Sequence, residues 1–166
     1  MNERLLQGSA YPDDTGEATP LLVAALDGYA GDEARYPDVL AALGTARLLV
    51  PVVAVPGEVE TGEDGLARDK SSDMATVLLR GADGRSALLA FTSTTTLSAW
   101  NPEGRPVAVP TRTAALSAVQ EGAEALLIDV AGPVTVAVEG DDLRALAAGW
   151  RLARAGDRVG WVAPAD

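Results

Sequence analysis

The residues here that could do chemistry are hydroxyls and carboxylates, because the 166-residue chain has no histidine and no cysteine. That removes histidine dyads and triads, thiol nucleophiles, disulfides and the usual His/Cys zinc sites. Lys70-Ser71-Ser72-Asp73 sets the single lysine beside two hydroxyls. A Ser–Lys dyad needs a desolvated lysine within reach of the nucleophile. Neighbours on an extended segment point to opposite sides, and the spacing is not Ser-x-x-Lys, so catalysis there is not expected. Thr92-Ser93-Thr94 falls between an expected strand and an expected helix, where free backbone amides favour anions. The same hydroxyls are good helix caps. Asp129 ends an apolar strand beside Ala131-Gly132-Pro133, where an aspartate also stabilises a turn through its own backbone. The candidate ligand or partner surface is therefore Lys70, Ser72, Asp73, Thr92, Ser93 and Asp129, with no catalytic residue.

Other clusters carry less. Glu139-Gly140-Asp141-Asp142 could offer oxygens to a divalent cation, but it lacks calcium-loop spacing and sits where a helix start wants carboxylates. No metal and no cofactor is expected. Glu58, Glu60, Glu63 and Asp64 could greet a basic partner, or simply keep a solvated linker unfolded. No glycine-rich phosphate loop is present. Arg144, Arg151, Arg154 and Arg158 face only Asp157 between positions 143 and 161, which makes a basic C-terminal stretch.

The net charge is −11, from 13 basic and 24 acidic residues. Residues 1–73 carry 14 acidic and 5 basic side chains, so the acidity belongs to the N-terminal part. Such a balance argues against direct nucleic-acid binding, as does the lack of interleaved aromatics. No apolar run approaches the roughly 18 to 20 residues that span a bilayer, so no membrane role and a cytoplasmic location are expected. One lysine against twelve arginines, with abundant alanine, suggests a high-GC bacterial genome.

These side chains must be positioned by the elements around them. Residues 1–18 read as a flexible tail. Thr19-Pro20 starts a helix burying Leu22, Leu26 and Tyr29, and a second helix buries Val39, Leu40 and Leu43 before Gly44. Arg47 to Val55 is a strand in which Pro51 implies an edge or a bulge. Residues 56–70 read as a mobile acidic loop. Met74 to Arg80 and Ser86 to Phe91 form a hairpin about Asp83-Gly84, pairing Leu79 with Leu88 and covered on both faces. A helix carrying Leu97 and Trp100 follows, then a strand from Arg105 to Val109. Next come a helix burying Leu116 and Val119, strands at Ala125 to Val130 and Val134 to Val138, and a helix with Leu143, Leu146, Ala147 and Trp150 on one face. The expected fold is α+β: one domain over 19–150, with a mixed β-sheet of about five to seven strands, helices packed on it, and a basic extension at 151–166.

From Leu21 to Trp150 the chain resembles the SseB-like family, in its N-terminal-domain type from high-GC bacteria. The resemblance is carried by Leu49-Val50-Pro51-Val52, Lys70 to Ala75, Ala87 to Ser93, Trp100-Asn101-Pro102, Arg105-Pro106-Val107, Glu121-Gly122-Ala123 and Ile128 to Pro133. Asn101 stands where an aspartate before proline is usual, and Val130 where a proline often sits; both lie in turns. The resemblance implies a regulatory or interaction module with no catalytic residues to carry over, and it marks the Lys-Ser-Ser-Asp and Phe-Thr-Ser segments as signatures. The leading expectation is a non-catalytic domain that binds a protein partner. The alternatives are a small-molecule or anion binder or enzyme using hydroxyls and carboxylates at strand ends, and an acidic decoy for a basic nucleic-acid-binding partner.

Overall fold

Thr19-Pro20 starts the first helix as expected. The Thr19 hydroxyl accepts from the Leu22 amide at 3.4 Å, and Pro20 opens α1 (Pro20–Gly31), where its missing N–H costs nothing. A short 3₁₀ turn, Glu33–Arg35, leads into α2 (Tyr36–Leu43). The computed structural model describes residues 11–55, 59–61, 67–69 and 73–166. Its architecture is α+β.

The valine-rich run forms β1 (Arg47–Val55), and β2 (Val59–Thr61) and β3 (Ala67–Asp69) pair antiparallel within the segment expected to be a loop. The rest of that segment, at 56–58, 62–66 and 70, lies outside the described residues. Next come β4 (Asp73–Thr76), β5 (Leu78–Arg80) and β6 (Ser86–Ala90), then α3 (Thr94–Trp100), β7 (Arg105–Pro110) and α4 (Thr111–Gln120). The chain continues through β8 (Ala125–Ile128), β9 (Val136–Glu139), α5 (Gly140–Ala147), β10 (Arg151–Ala155) and β11 (Arg158–Val162).

One sheet runs β4-β1-β7 and is antiparallel; another runs β5-β6-β8-β9, with β6 and β8 parallel. They meet where Leu49 and Phe91 exchange backbone hydrogen bonds of 2.7 and 2.8 Å. The segment from Asp73 to Arg80 pairs first with β1 and then with β6, switching sheets at Val77. Alternation along the strands feeds two cores. Leu48, Val50, Leu88, Ala90, Leu126 and Ile128 pack with α1, α2, α4 and α5. Leu49, Leu89 and Phe91 pack on the other face with Leu97 of α3, and the Trp100 ring lies 5.5 Å from Phe91. Among the described residues no helix is long and apolar enough to cross a membrane.

Several expectations are corrected by this arrangement. Pro51 sits in a central strand, not at an edge or bulge. Leu49 directs its backbone groups towards Phe91, so Pro51, two residues on, faces that same side and not β7. The facing pair Pro51–Pro106 therefore lies at a non-hydrogen-bonded position, where neither missing N–H breaks the ladder. The β5–β6 hairpin has Leu78, not Leu79, opposite Leu88. Its turn is a three-residue loop in which Gly84 alone takes positive φ (+84°), the Gly84 amide bonding Gly81 O and the Gly81 amide Arg85 O. The hairpin is not central: β6 is buried, whereas β5 is an edge strand with exposed residues.

In α4 the buried residues are Thr111, Ala114, Ala115 and Ala118, while Leu116 and Val119 are exposed; the small side chains let the helix lie close on the sheet. Trp150 also leaves the core. Gly149 takes φ +79° after α5, and the Trp150 amide closes back on Ala145 O. The expected basic extension folds as the β10–β11 hairpin, with Leu152 and Trp161 packed on the main core and Arg154 paired to Asp38.

Candidate functional site

Because β6 and β8 are parallel, their C-terminal ends lie side by side, and the chain leaves both into loops at that end. The Asp129 amide bonds Ala90 O at 3.0 Å, and Asp129 then turns left-handed (φ +56°), uncommon for a residue with a side chain. Its carbonyl accepts from the Gly132 amide at 2.9 Å and from Thr135 Oγ1 at 3.0 Å, so the expected turn-stabilising role is present in its backbone. Its carboxylate crosses to the other strand. Oδ1 accepts from the Thr92 amide at 2.8 Å and Oδ2 from Thr92 Oγ1 at 2.6 Å, with Asp129 only 2% exposed.

Ser93 caps α3 in a reciprocal box with Thr96. The Thr96 amide donates to Ser93 Oγ at 3.2 Å and the Ser93 amide to Thr96 Oγ1 at 3.3 Å. The Thr94 amide goes to Gly16 O at 2.8 Å. These three amides are spent within the protein. Ser93→Ala is expected to cost about 1 kcal/mol of unfolding free energy, as loss of a cap does, measured by urea denaturation.

Arg47 joins this cluster to the N-terminal segment, and its side chain is 8% exposed. Nη1 donates to Thr92 O at 2.6 Å. Nη2 donates to Asp14 Oδ1 at 2.7 Å and Glu17 O at 2.8 Å, and Nε donates to Asp14 Oδ2. The guanidinium holds the Asp14 carboxyl below its ordinary range. Residues 11–18, read from sequence as part of a flexible tail, are thus tied to the strand ends. Gly16 is needed at that contact, since a Cβ there would lie 2.7 Å from Thr94 Cγ2. A cavity of about 380 Å³ opens beside the cluster, lined by Thr92, Ser93, Thr96 and Asp129 with Glu17, Val23, Leu26 and Asp27.

Of the sequence candidates, Thr92, Ser93 and Asp129 come together. Asp73 does not: it pairs with Val55, six residues along β1 from the Leu49–Phe91 bridge, roughly 20 Å away. Lys70 and Ser72 lie outside the described residues. Glu139, Asp141 and Asp142 go to separate partners, Arg85, Arg144 and Trp161 Nε1. Among the described residues no three acidic groups are placed to hold a metal. Sequence reasoning missed Asp14, Arg47 and Asp27. A lone cation opening an apolar strand was the available signal for Arg47; nothing local marked the other two.

The family model for the SseB protein N-terminal domain matches residues 22–145, about three quarters of the chain. The chain belongs to the SseB family. No curated protein and no solved structure matched it. The SseB match begins in α1 and ends in α5, so it contains Arg47, Thr92, Ser93 and Asp129. Asp14 and the β10–β11 hairpin lie outside it.

Proposed function

We propose that this SseB-family domain is a cytoplasmic, non-catalytic interaction module that takes an extended segment of a protein partner as an added strand on β5. Support comes first from the hydroxyl–carboxylate cluster, whose donors are committed to the fold: Thr92 to Asp129, and Ser93 and Thr96 to each other.

The observation that carries the reading is the contrast between sheet edges. On β7, Val107 and Val109 face β1, so the outward donor positions include Pro106 and Pro110, which have none. On β9, Tyr36 Oη donates to Ala137 O at 3.3 Å, and burial pushes the Tyr36 phenol's ionisation up, keeping it a donor. On β5, Val77 O and the Gly81 amide point to β6, which turns the backbone groups of Leu78 and Arg80 outward. Leu78 and Leu79 are 42% and 43% exposed there. Among the described residues nothing hydrogen-bonds the outward groups of Leu78 and Arg80, and an edge with apolar side chains on both faces is what strand addition uses.

Arg80→Pro deletes an outward N–H without touching the β5–β6 ladder. With a partner identified by co-purification at low and high salt, this variant is expected to weaken binding about tenfold or more while the melting temperature holds. Undiminished binding by Arg80→Pro, or no specific partner at either salt, contradicts the reading.

A further inference from the structure

Asp129 poses a problem that the hydrogen bonds around it do not solve. A carboxylate 2% exposed has left nearly all of its water, and a buried charge ordinarily pairs with a cation. Among the described residues Asp129 makes no ion pair; its oxygens take only the neutral donors of Thr92. Arg47 spends its donors on Asp14 and on the carbonyls of Glu17 and Thr92. Yet Asp129 borders a cavity of about 380 Å³, a size within the range of small-ligand pockets.

We infer that this cavity is a binding site for a primary alkylammonium group, with Asp129 and Asp27 as its counter-charges. Each carboxylate oxygen can accept more than one hydrogen bond, so Asp129 keeps acceptor capacity after Thr92 is served. An ammonium group has three donors and no acceptor. Asp27 stands on the cavity's α1 wall, and Ser93 and Thr96 add hydroxyl oxygens. Glu17 adds a third carboxylate to the lining, and Val23, Leu26, Pro133 and Val134 give it an apolar part that suits a short alkyl chain. A carboxylate or phosphate ligand would meet these same anionic groups and be repelled by them. This site is separate from the β5 edge, so either can fail without the other.

The test titrates the full chain with n-butylammonium and with the tripeptide Gly-Lys-Gly, N-acetylated and C-amidated so that the lysine carries its one charge, with butyrate as the charge-reversed control, following the amide signals of Thr92, Ser93 and Gly132 by NMR. Saturable shifts are expected from an ammonium probe at up to roughly 10 mM and none from butyrate. Tighter binding of the tripeptide identifies a protein lysine as the source of the group, and tighter binding of butylammonium a free amine; either supports the site. Asp27→Asn, an exposed change that leaves the fold intact, is expected to weaken binding about tenfold. No saturable shift with either ammonium probe, equal shifts with butyrate, or unchanged affinity in Asp27→Asn overturns the inference.

Discussion

Asp129→Ala is expected to lower the unfolding free energy by about 4 kcal/mol, among the largest losses available to a single substitution in this domain. Two effects add. The Thr92 amide and hydroxyl, both buried, lose the Asp129 acceptors, at about 1–3 kcal/mol each. An alanine is also forced to hold φ near +56°, which costs about 1 kcal/mol more. The two can be separated. Glycine at 129 relieves the backbone and leaves Thr92 unsatisfied, whereas asparagine tolerates the left-handed backbone and keeps one acceptor. The expected order of stability in urea is Asp, Asn, Gly, Ala. A loss under about 1 kcal/mol for alanine would mean that the Thr92–Asp129 contact does not bind the two strand ends together.

Arg47→Leu is expected to cost about 3 kcal/mol, because it leaves the carbonyls of Thr92 and Glu17 without donors and Asp14 without its cation. Its signature is a changed pH dependence. Asp14 titrates below its ordinary 3.8 in the folded protein, chiefly through its hydrogen bond to Arg47. A carboxyl depressed in the folded state contributes stability that is complete above the unfolded value and is lost as pH falls through the folded one. The wild type should therefore lose stability below about pH 4 more steeply than either Arg47→Leu or Asp14→Asn. Parallel acid profiles for all three, from urea melts between neutral pH and about pH 3, would place the pairing outside the folded state's energetics.

Much of the fold was legible because it rests on local signals. The Thr19-Pro20 start and the Ser93 cap both follow from residues within a few positions of each other. The misreadings share one cause: a local pattern compatible with two structures. Asp83-Gly84 suits a two-residue turn and a three-residue loop alike, since both want glycine at positive φ. The Asp83 side chain accepts from the Arg85 amide at 3.0 Å and goes with the longer loop, which shifts the register by one. In α4, alanines and larger residues occupy adjacent faces, and periodicity cannot say which face the sheet receives. Pro51 argued for an edge because its partner, Pro106, was unknown.

For the candidate site, sequence found the strand ends but not what joins them. Asp129 reads locally as a turn residue, and its backbone is one; its carboxylate reaches 37 positions back to Thr92. Arg47 binds Asp14, 33 positions before it, and Thr92, 45 after it. Contacts at such separations leave no spacing to read. The same holds for acidity: Asp14 belongs to the segment that accounts for most of the −11 charge, yet it is tied into the fold.

Amide hydrogen exchange along β5, in the free domain and in complex with its partner, tests the interaction reading most directly. In the free domain the outward amides of Leu78 and Arg80 should exchange fast while those of Leu79 and Gly81, directed to β6, are protected. In the complex the Leu78 and Arg80 amides should become protected as well. Fast exchange at both positions in a saturated complex would contradict strand addition at β5.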